Sequence, residues 1–214
     1  LAAEQRIDWN QTWPVIRFNF AQAPENSLNV WHRVCLQQMR AVEAQYGVSC
    51  SETHPALRLA ELIGQLHRHT GRKVVVLVDE YDKPILDSLD NPELAYTLRD
   101  FLGGLYSPLK SEDEHLHFVM LSGVSKFSKV SLFSGLNHLN DITLNARYSS
   151  ICGYTEPELQ SVFADRLSEF SLDEVRRWYN GYNWLGESVY NPWSLLNLFE
   201  QRRFSGFWWE SGKP

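Results

Sequence analysis

Two adjacent carboxylates, Asp79 and Glu80, follow directly on the apolar run VVVLV at 74–78. Because a strand is rigid, a carboxylate at its end is held still, and Asp79 in that position can coordinate Mg²⁺, often through a water molecule. The next acid, Glu80, can then polarise a water that attacks a phosphate. The alternative is that both acids only begin a loop and cap a turn, since an apolar strand followed by Asp-Glu is a common pattern.

A strand that ends in Asp-Glu is typical of the Walker B segment of P-loop ATPases, whose partner is the phosphate-binding loop G-x-x-x-x-G-K-[ST]. The 214 residues contain no such loop. The nearest string is GFWWESGK at 206–213, which has five residues between its glycines and Pro214 in the hydroxyl position. Its bulky Phe207, Trp208 and Trp209 would block the close backbone approach that phosphate binding requires. We therefore do not interpret it as a phosphate loop.

Small and hydroxyl residues follow a second apolar strand, in LSGVSKFSKVSLFSGLNHLN at 121–140. The carboxyl ends of parallel strands are where ligands bind in open α/β sheets, so Ser122 or Ser125 can contact a γ-phosphate or the attacking water. Lys126 and Lys129 can meet phosphate charge, and Arg147 can approach a nucleotide from further along the chain. The alternative is a flexible serine-rich loop with solvated lysines and a surface arginine.

The strands that would position these residues show two kinds of pattern. PVIRFNF at 14–20 alternates apolar and polar side chains, which predicts an edge strand. The runs at 73–80 and 115–124 lack polar alternation and predict central strands of a parallel sheet, and DITL at 141–144 is a weaker strand candidate. Apolar residues at helical spacing predict helices over 27–46 and 55–69, and a third that begins at Asn91-Pro92.

From Thr155 onward the pattern changes to helices. Thr155 and Glu158 form a T-x-x-E capping box, and Asn191-Pro192 caps a further helix. The sequence therefore predicts an α/β fold with a mostly parallel sheet in 1–150 and a helical lid in 151–214.

Composition and charge restrict the class of protein. A net charge of −6 and a pI near 5.6 argue against a broad surface for nucleic acid. Three cysteines without C-x-x-C spacing indicate free thiols in a reducing compartment. No apolar stretch approaches the ~18 residues of a membrane span, and no signal peptide is evident. We expect a cytoplasmic protein that does not contact a membrane, of which these residues are one segment.

Five motifs resemble, in the same order, the AAA-ATPase-like family of predicted bacterial P-loop ATPases: VVVLVDEYDKPIL, LSGVSKFSKVSLFSGLNHLNDITL, ICGYTEPEL, RRWYNGY and VYNPWSLLNLFE. The resemblance covers about 14–210. It implies ATP and Mg²⁺ as ligands, Asp79 as the Mg²⁺-coordinating acid, Glu80 as the water-polarising acid and Ser122 to Lys126 as the sensor region. In this family a sequence similar to RPRRFGKS supplies the phosphate loop before the part that corresponds to Leu1. We therefore expect the 214 residues alone not to hydrolyse ATP.

The resemblance also implies a three-layer P-loop sandwich with strand order 5-1-4-3-2, in which 14–20 is an edge. The first strand would lie between the strand at 115–124 and the one at 141–144, so its absence would leave an open slot and favour self-association. On this basis we expect burial of six side chains, those of Val74, Val76, Val78, Phe118, Met120 and Leu121. Many family members carry a PD-(D/E)xK nuclease-like domain downstream, so nucleic acid would be met outside this chain.

Two other functions remain open at this point. The first is a non-catalytic module that keeps the fold and binds protein through its aromatic-rich lid. The second is a metal-dependent nuclease that uses Asp79, Glu80 and Asp82. We favour it less, because such nucleases take carboxylates from separate strands together with a lysine, and Lys83 lies on a turn that need not face the acids.

Overall fold

The computed structural model describes residues 8–21, 23–124 and 136–211. Within it the chain divides into two compact units, Leu1–Leu139 and Asn140–Pro214. Each unit has its own hydrophobic core.

The first unit is built on a parallel sheet of β1 (Val15–Asn19), β2 (Val74–Asp79) and β3 (Leu116–Leu121), in the order β1-β2-β3. This confirms the strands expected at 14–20, 73–80 and 115–124, with the first at an edge and the second in the centre. The central position expected for 115–124 is not seen, because among the described residues β3 pairs with β2 alone. The register places Asn19 beside Asp79 and Val78 beside Leu121. The carboxyl ends of all three strands therefore meet at one edge of the sheet, the one that carries Asp79.

The helices expected over 27–46, over 55–69 and from Asn91-Pro92 are confirmed, and two short helices that the sequence pattern did not predict accompany them. They are α1 (Leu28–Tyr46), α2 (Pro55–Thr70), α3 (Lys83–Leu86), α4 (Pro92–Tyr106) and α5 (Pro108–Ser111), with a 3₁₀ turn at Asp113–His115. The Ser27 side chain caps α1 by accepting from the Val30 amide, and Asn91 caps α4 by accepting from the Leu94 amide. Such caps satisfy amides that have no partner within the helix.

The core of the first unit lies on one face of the sheet. Val74, Val76 and Val78 are buried there together with Ile16 and Phe18. The helices contribute the opposing side chains, including Trp31, Met39, Leu59, Leu62 and Leu98. Full burial of such a side chain stabilises a fold by roughly 1.5–3 kcal/mol, so this face fixes β2 and with it the position of Asp79.

The opposite face of the sheet is largely uncovered in the part of the chain that the structure describes. Val75 and Leu77 are half-buried there, and their register partners Phe118 and Met120 are 51% and 39% exposed. The expected burial of Phe118 and Met120 is therefore wrong, whereas that of the three β2 valines is confirmed. The reason is that the described helices supply core residues to the valine face only, so a second helical layer stays a prediction.

The strand expected at 141–144 is also not formed. Asp141 Oδ1 accepts from the Thr143 amide at 3.0 Å, and the Asn145 amide donates to the Ile142 carbonyl at 3.2 Å. These local bonds make a turn, followed by a 3₁₀ helix at Ala146–Tyr148. A side chain that bonds its own nearby backbone competes with strand pairing, which explains the difference.

The second unit combines helices with a hairpin. Its elements are α6 (Glu156–Val162), α7 (Ala164–Leu167), α8 (Leu172–Tyr179), β4 (Asn180–Asn183), β5 (Ser188–Tyr190), α9 (Pro192–Gln201) and α10 (Phe207–Ser211). The capping box of Thr155 and Glu158 is confirmed, as is the helix that Asn191 caps. The unit is mostly helical, as expected, but it also contains β4 and β5, which pair as an antiparallel hairpin that the sequence pattern did not predict.

The turn of this hairpin is made by local hydrogen bonds. Asn183 Oδ1 accepts from the Leu185 amide at 3.0 Å, and its amide group donates to the Gly186 carbonyl at 2.8 Å. Strands this short carry almost no periodic signal, so the sequence pattern did not reveal them. Along the described ranges, no helix is both long enough and apolar enough to cross a membrane.

Candidate functional site

The carboxyl edge of the parallel sheet brings Asp79 and Ser122 into direct contact. Asp79 is the last residue of β2, and Ser122 follows the last residue of β3. The Ser122 amide donates to the Val78 carbonyl at 2.8 Å, which continues the ladder between the strands. The Ser122 hydroxyl donates to Asp79 Oδ1 at 2.7 Å. Two residues 43 positions apart in sequence are thus joined by the strand register.

The second oxygen of Asp79 faces a cation and solvent. Asp79 Oδ2 lies 3.9 Å from Arg17 Nη2, and the side chains of Arg17 and Asp79 are 64% and 49% exposed. An exposed ion pair of this kind contributes about 0–1 kcal/mol, so a stronger ligand can displace the guanidinium. Sequence reasoning missed Arg17, although its place on the polar face of an alternating strand next to β2 was a usable signal.

Glu80 has an unusual backbone for a residue with a side chain. Its φ is 53°, in the left-handed region, and the residue is half-buried. That conformation costs roughly 1–2 kcal/mol for an L-residue other than glycine. The turn is held on both sides, since the Tyr81 amide donates to the Ser122 carbonyl and the Lys83 amide to the Glu80 carbonyl, each at 3.0 Å. Backbone strain that the surroundings enforce is concentrated at functional sites in proteins.

Asp82 is completely buried two residues beyond Glu80. Its Oδ2 accepts from the Val124 amide at 2.9 Å, across the gap between the segments that follow β2 and β3. Lys83 forms an ion pair with Asp87, which directly follows α3, and so is not directed at the acids. Across the described residues, no three His, Cys, Asp or Glu side chains are placed to hold one metal ion. The nuclease alternative, which needs three acids and a lysine, therefore has no support.

Gly123 permits the two segments to approach each other. A Cβ at this position would lie 2.5 Å from Asp82 Oδ1 and 2.7 and 2.8 Å from two carbons of the Tyr81 ring. Any larger residue would therefore force the end of β3 away from the turn at 80–82. The glycine in LSGVS is explained by this close contact.

The segment after β2 is also anchored from the side of α1. Asn26 donates to the Ser88 hydroxyl at 2.6 Å, and the Trp31 indole donates to Asn26 Oδ1 at 2.7 Å. The Ser88 hydroxyl in turn donates to the Pro84 carbonyl at 2.8 Å. Because polar groups in a buried network are costly to leave unpaired, this network holds α3 in place directly after the acids in the chain.

The sequence matches a known protein family and one curated relative. The family model described as "Predicted AAA-ATPase" matches residues 1–133. The chain belongs to this AAA-ATPase-like family. A protein of Azotobacter chroococcum mcd 1, named "Uncharacterized protein in vnfD 5'region", is 49% identical over all 214 residues, which make up 42% of its length. The chain therefore spans less than half of the length of that relative. No solved structure matches the chain.

The other candidate residues of this AAA-ATPase-like chain lie outside the described residues or in the second unit. Ser125 and Lys126 lie outside the described residues, as does Lys129. Arg147 belongs to the second unit, where it is exposed and its guanidinium lies over the Tyr148 ring, 5.9 Å from the centroid. The structure thus joins Asp79 and Ser122, with Glu80 next in the chain.

The donors at the sheet edge fit a magnesium ion. Mg²⁺ prefers oxygen ligands and usually keeps several waters, so that one or two carboxylates and substrate phosphates complete its shell. The half-exposed Asp79 carboxylate and the Ser122 hydroxyl are donors of this kind. A single carboxylate is too few ligands to enclose an ion by protein alone, but it suits an ion that arrives bound to a nucleotide.

Proposed function

We propose that this chain supplies the acidic half of an ATPase site, in which Asp79 binds the magnesium of Mg-ATP and Glu80 activates the attacking water. The observation that carries the proposal is the 2.7 Å hydrogen bond between Ser122 and Asp79 at the carboxyl ends of adjacent parallel strands. Membership of the AAA-ATPase-like family supports a nucleotide as the ligand. The strained backbone of Glu80 adds a second mark of a functional site.

Each residue has a distinct task in this proposal. Ser122 orients the Asp79 carboxylate by donating to Oδ1, which leaves Oδ2 to exchange its weak contact with Arg17 for an ion. When bound, magnesium would neutralise charge that develops on the phosphate oxygens. Glu80 holds the attacking water and accepts its proton on the side-chain carboxylate, as a positioned general base does. In this proposal Ser122 would also contact the γ-phosphate and so respond to its hydrolysis.

The finer features of the proposal rest on the resemblance and on the exposed side of the sheet. We place the phosphate loop in a part of the protein other than these 214 residues, which contain no G-x-x-x-x-G-K-[ST] string. A second helical layer over Phe118 and Met120 would complete a three-layer P-loop fold. Further nucleotide contacts would come from Ser125, Lys126 and Arg147, with 1–150 as the ATPase core and 151–214 as the lid. The setting would be the cytoplasm.

The test is the metal dependence of ATP hydrolysis by the full-length protein. We expect Asp79→Asn to raise the Mg²⁺ concentration for half-maximal activity about 10-fold or more, because it removes the ligand charge, and Ser122→Ala to raise it less. Asp87→Asn, which alters an exposed carboxylate paired with Lys83, is the matched control and should behave as the wild type. An unchanged Mg²⁺ requirement in Asp79→Asn would refute the assignment.

A second candidate function is a non-catalytic module that binds protein. It is favoured by large apolar side chains exposed in the second unit, among them Trp209 at 83%, Trp178 at 49% and Trp208 at 45%. Such side chains are enriched at protein interfaces. A full-length wild-type protein that neither binds nor hydrolyses Mg-ATP would favour this function over the ATPase.

A further inference from the structure

Asp82 is a buried acid to which the proposed ATPase mechanism gives no task. It is fully buried, yet the half-exposed Asp79 and the half-buried Glu80 lie only three and two residues before it, respectively. A carboxylate removed from water is costly unless its oxygens accept hydrogen bonds. The burial of this carboxylate is therefore best explained by the hydrogen bond that it accepts.

The Asp82 carboxylate holds the exit of β3. Its Oδ2 accepts from the Val124 amide at 2.9 Å, and these residues are 42 positions apart in sequence. Val124 lies two residues after Ser122, so the bond fixes the same short segment that presents the serine hydroxyl to Asp79.

Two further contacts join the turn at 80–82 to the segment at 122–124, and a third holds the turn from the core. The Tyr81 amide donates to the Ser122 carbonyl at 3.0 Å, immediately before Asp82. Gly123 lies so close that a Cβ would approach Asp82 Oδ1 to 2.5 Å. From the core side, the buried Tyr106 hydroxyl donates to the Tyr81 carbonyl at 3.4 Å, and burial raises the pKa of Tyr106, which keeps it a donor. The turn at 80–82 and the segment at 122–124 thus form one braced unit.

We propose that Asp82 is a positioning residue for the metal site: its carboxylate anchors Val124, which fixes Ser122 against the Asp79 carboxylate. The inference rests on the proposed role of Asp79 as the magnesium ligand. Because Asp82 itself is buried, the proposal gives it no direct contact with the metal or the nucleotide. Its removal would free the segment at 122–124 and leave Asp79 without a fixed orientation.

The experiment compares Asp82→Ala, Asp82→Asn and Asp87→Asn in the full-length protein by two measurements. The first is hydrogen–deuterium exchange at the Val124 amide, resolved by fragmentation mass spectrometry. The second is the affinity for Mn²⁺ in the presence of ATP, from the electron paramagnetic resonance signal of free Mn²⁺. Asp87→Asn changes an exposed carboxylate at the other end of α3 and is the matched control. Asp79→Asn provides the reference for loss of the ligand.

In Asp82→Ala we expect the Val124 amide hydrogen to exchange at least about 10-fold faster than in the wild type. The variant should also bind Mn²⁺ about 10-fold more weakly, as when a group that orients a metal ligand is removed. Asp82→Asn keeps an acceptor and the side-chain volume, so its shifts should be smaller but in the same direction, and it serves if Asp82→Ala does not fold. Asp87→Asn should match the wild type in both measurements.

Two results would overturn the positioning role alone. Unchanged exchange at Val124 would mean that Asp82 does not hold the segment, and faster exchange with unchanged Mn²⁺ affinity would mean that Asp82 is only structural. Failure of the proposed function has a different signature. In that case the wild type itself binds no Mn²⁺ with ATP, and the positioning role falls with it.

Discussion

Gly123→Ala tests whether the exit of β3 lies directly against the turn at 80–82. The added Cβ would meet Asp82 Oδ1 at 2.5 Å and the Tyr81 ring at 2.7 Å, closer than side-chain carbons approach other atoms in proteins. Both neighbours are buried, so neither can move aside into solvent. Either the turn or the strand exit must therefore shift.

The expected loss of stability follows from two opposing effects. Extra volume in a well-packed region costs typically 1–3 kcal/mol, whereas replacing glycine by alanine stabilises by about 0.4–1 kcal/mol through the unfolded chain. The net effect is a loss of about 1–2 kcal/mol in the free energy of unfolding. For a chain of this size that lowers the melting temperature by about 2–8 °C.

Gly104→Ala is the matched control, because it makes the same chemical change without a clash. Gly104 lies exposed in α4, and a Cβ there would meet nothing within 4 Å. Alanine is favoured over glycine within a helix by roughly 0.5–1 kcal/mol, so this variant should be more stable than the wild type. Urea unfolding followed by circular dichroism measures both variants. If Gly123→Ala were as stable as Gly104→Ala, the close contact at the strand exit would not exist in solution.

Two further predictions concern ion pairs away from the candidate site. Arg58 donates to both oxygens of Glu43 in a buried pair. Arg58→Met leaves the Glu43 charge buried without its partner, so it should lower the free energy of unfolding by about 3–5 kcal/mol, whereas the double variant Glu43→Leu/Arg58→Met should lose much less. Equal losses in the single and the double variant would contradict this. Hydrogen bonds from the Arg176 guanidinium hold the pKa of Glu156 below its ordinary value near 4.5. A lowered folded-state pKa gives stability that is present above pH 4.5 and lost as the pH falls through the folded pKa. In denaturant titrations, the difference in free energy of unfolding between the wild type and Glu156→Gln should therefore shrink on acidification. A difference that does not change with pH would refute this.

The parallel sheet could be predicted because its strands carry strong, independent signals. Val74, Val76 and Val78 belong to an unbroken apolar run, and the alternation at 14–20 marks a strand with one polar face. The register then brings Asp79 and Ser122 together without further information, since parallel strands end at the same edge. The acidic part of the candidate site was therefore accessible from sequence.

Other features depend on the surroundings and not on the local pattern. Phe118 and Met120 look like core residues in sequence, but their burial requires a layer that the described helices do not provide. The sequence alone offers Asp82 only as one of three acids near the end of β2. Its hydrogen bond to Val124 is not visible there, because the two residues are 42 positions apart. The contact of Arg17 with Asp79 likewise depends on the register of β1 and β2. Such features become visible only when the strands are aligned.

The most direct test of the central claim is turnover and binding in Glu80→Gln of the full-length protein. Glutamine keeps the shape of the side chain but cannot accept a proton, so Mg-ATP binding should persist while the rate of hydrolysis falls by about 10²-fold or more. Glu93→Gln, which alters an exposed acid in the first turn of α4, is the control and should hydrolyse ATP normally. A Glu80→Gln protein that hydrolyses ATP at the wild-type rate would show that Glu80 is structural and that the proposed mechanism is wrong.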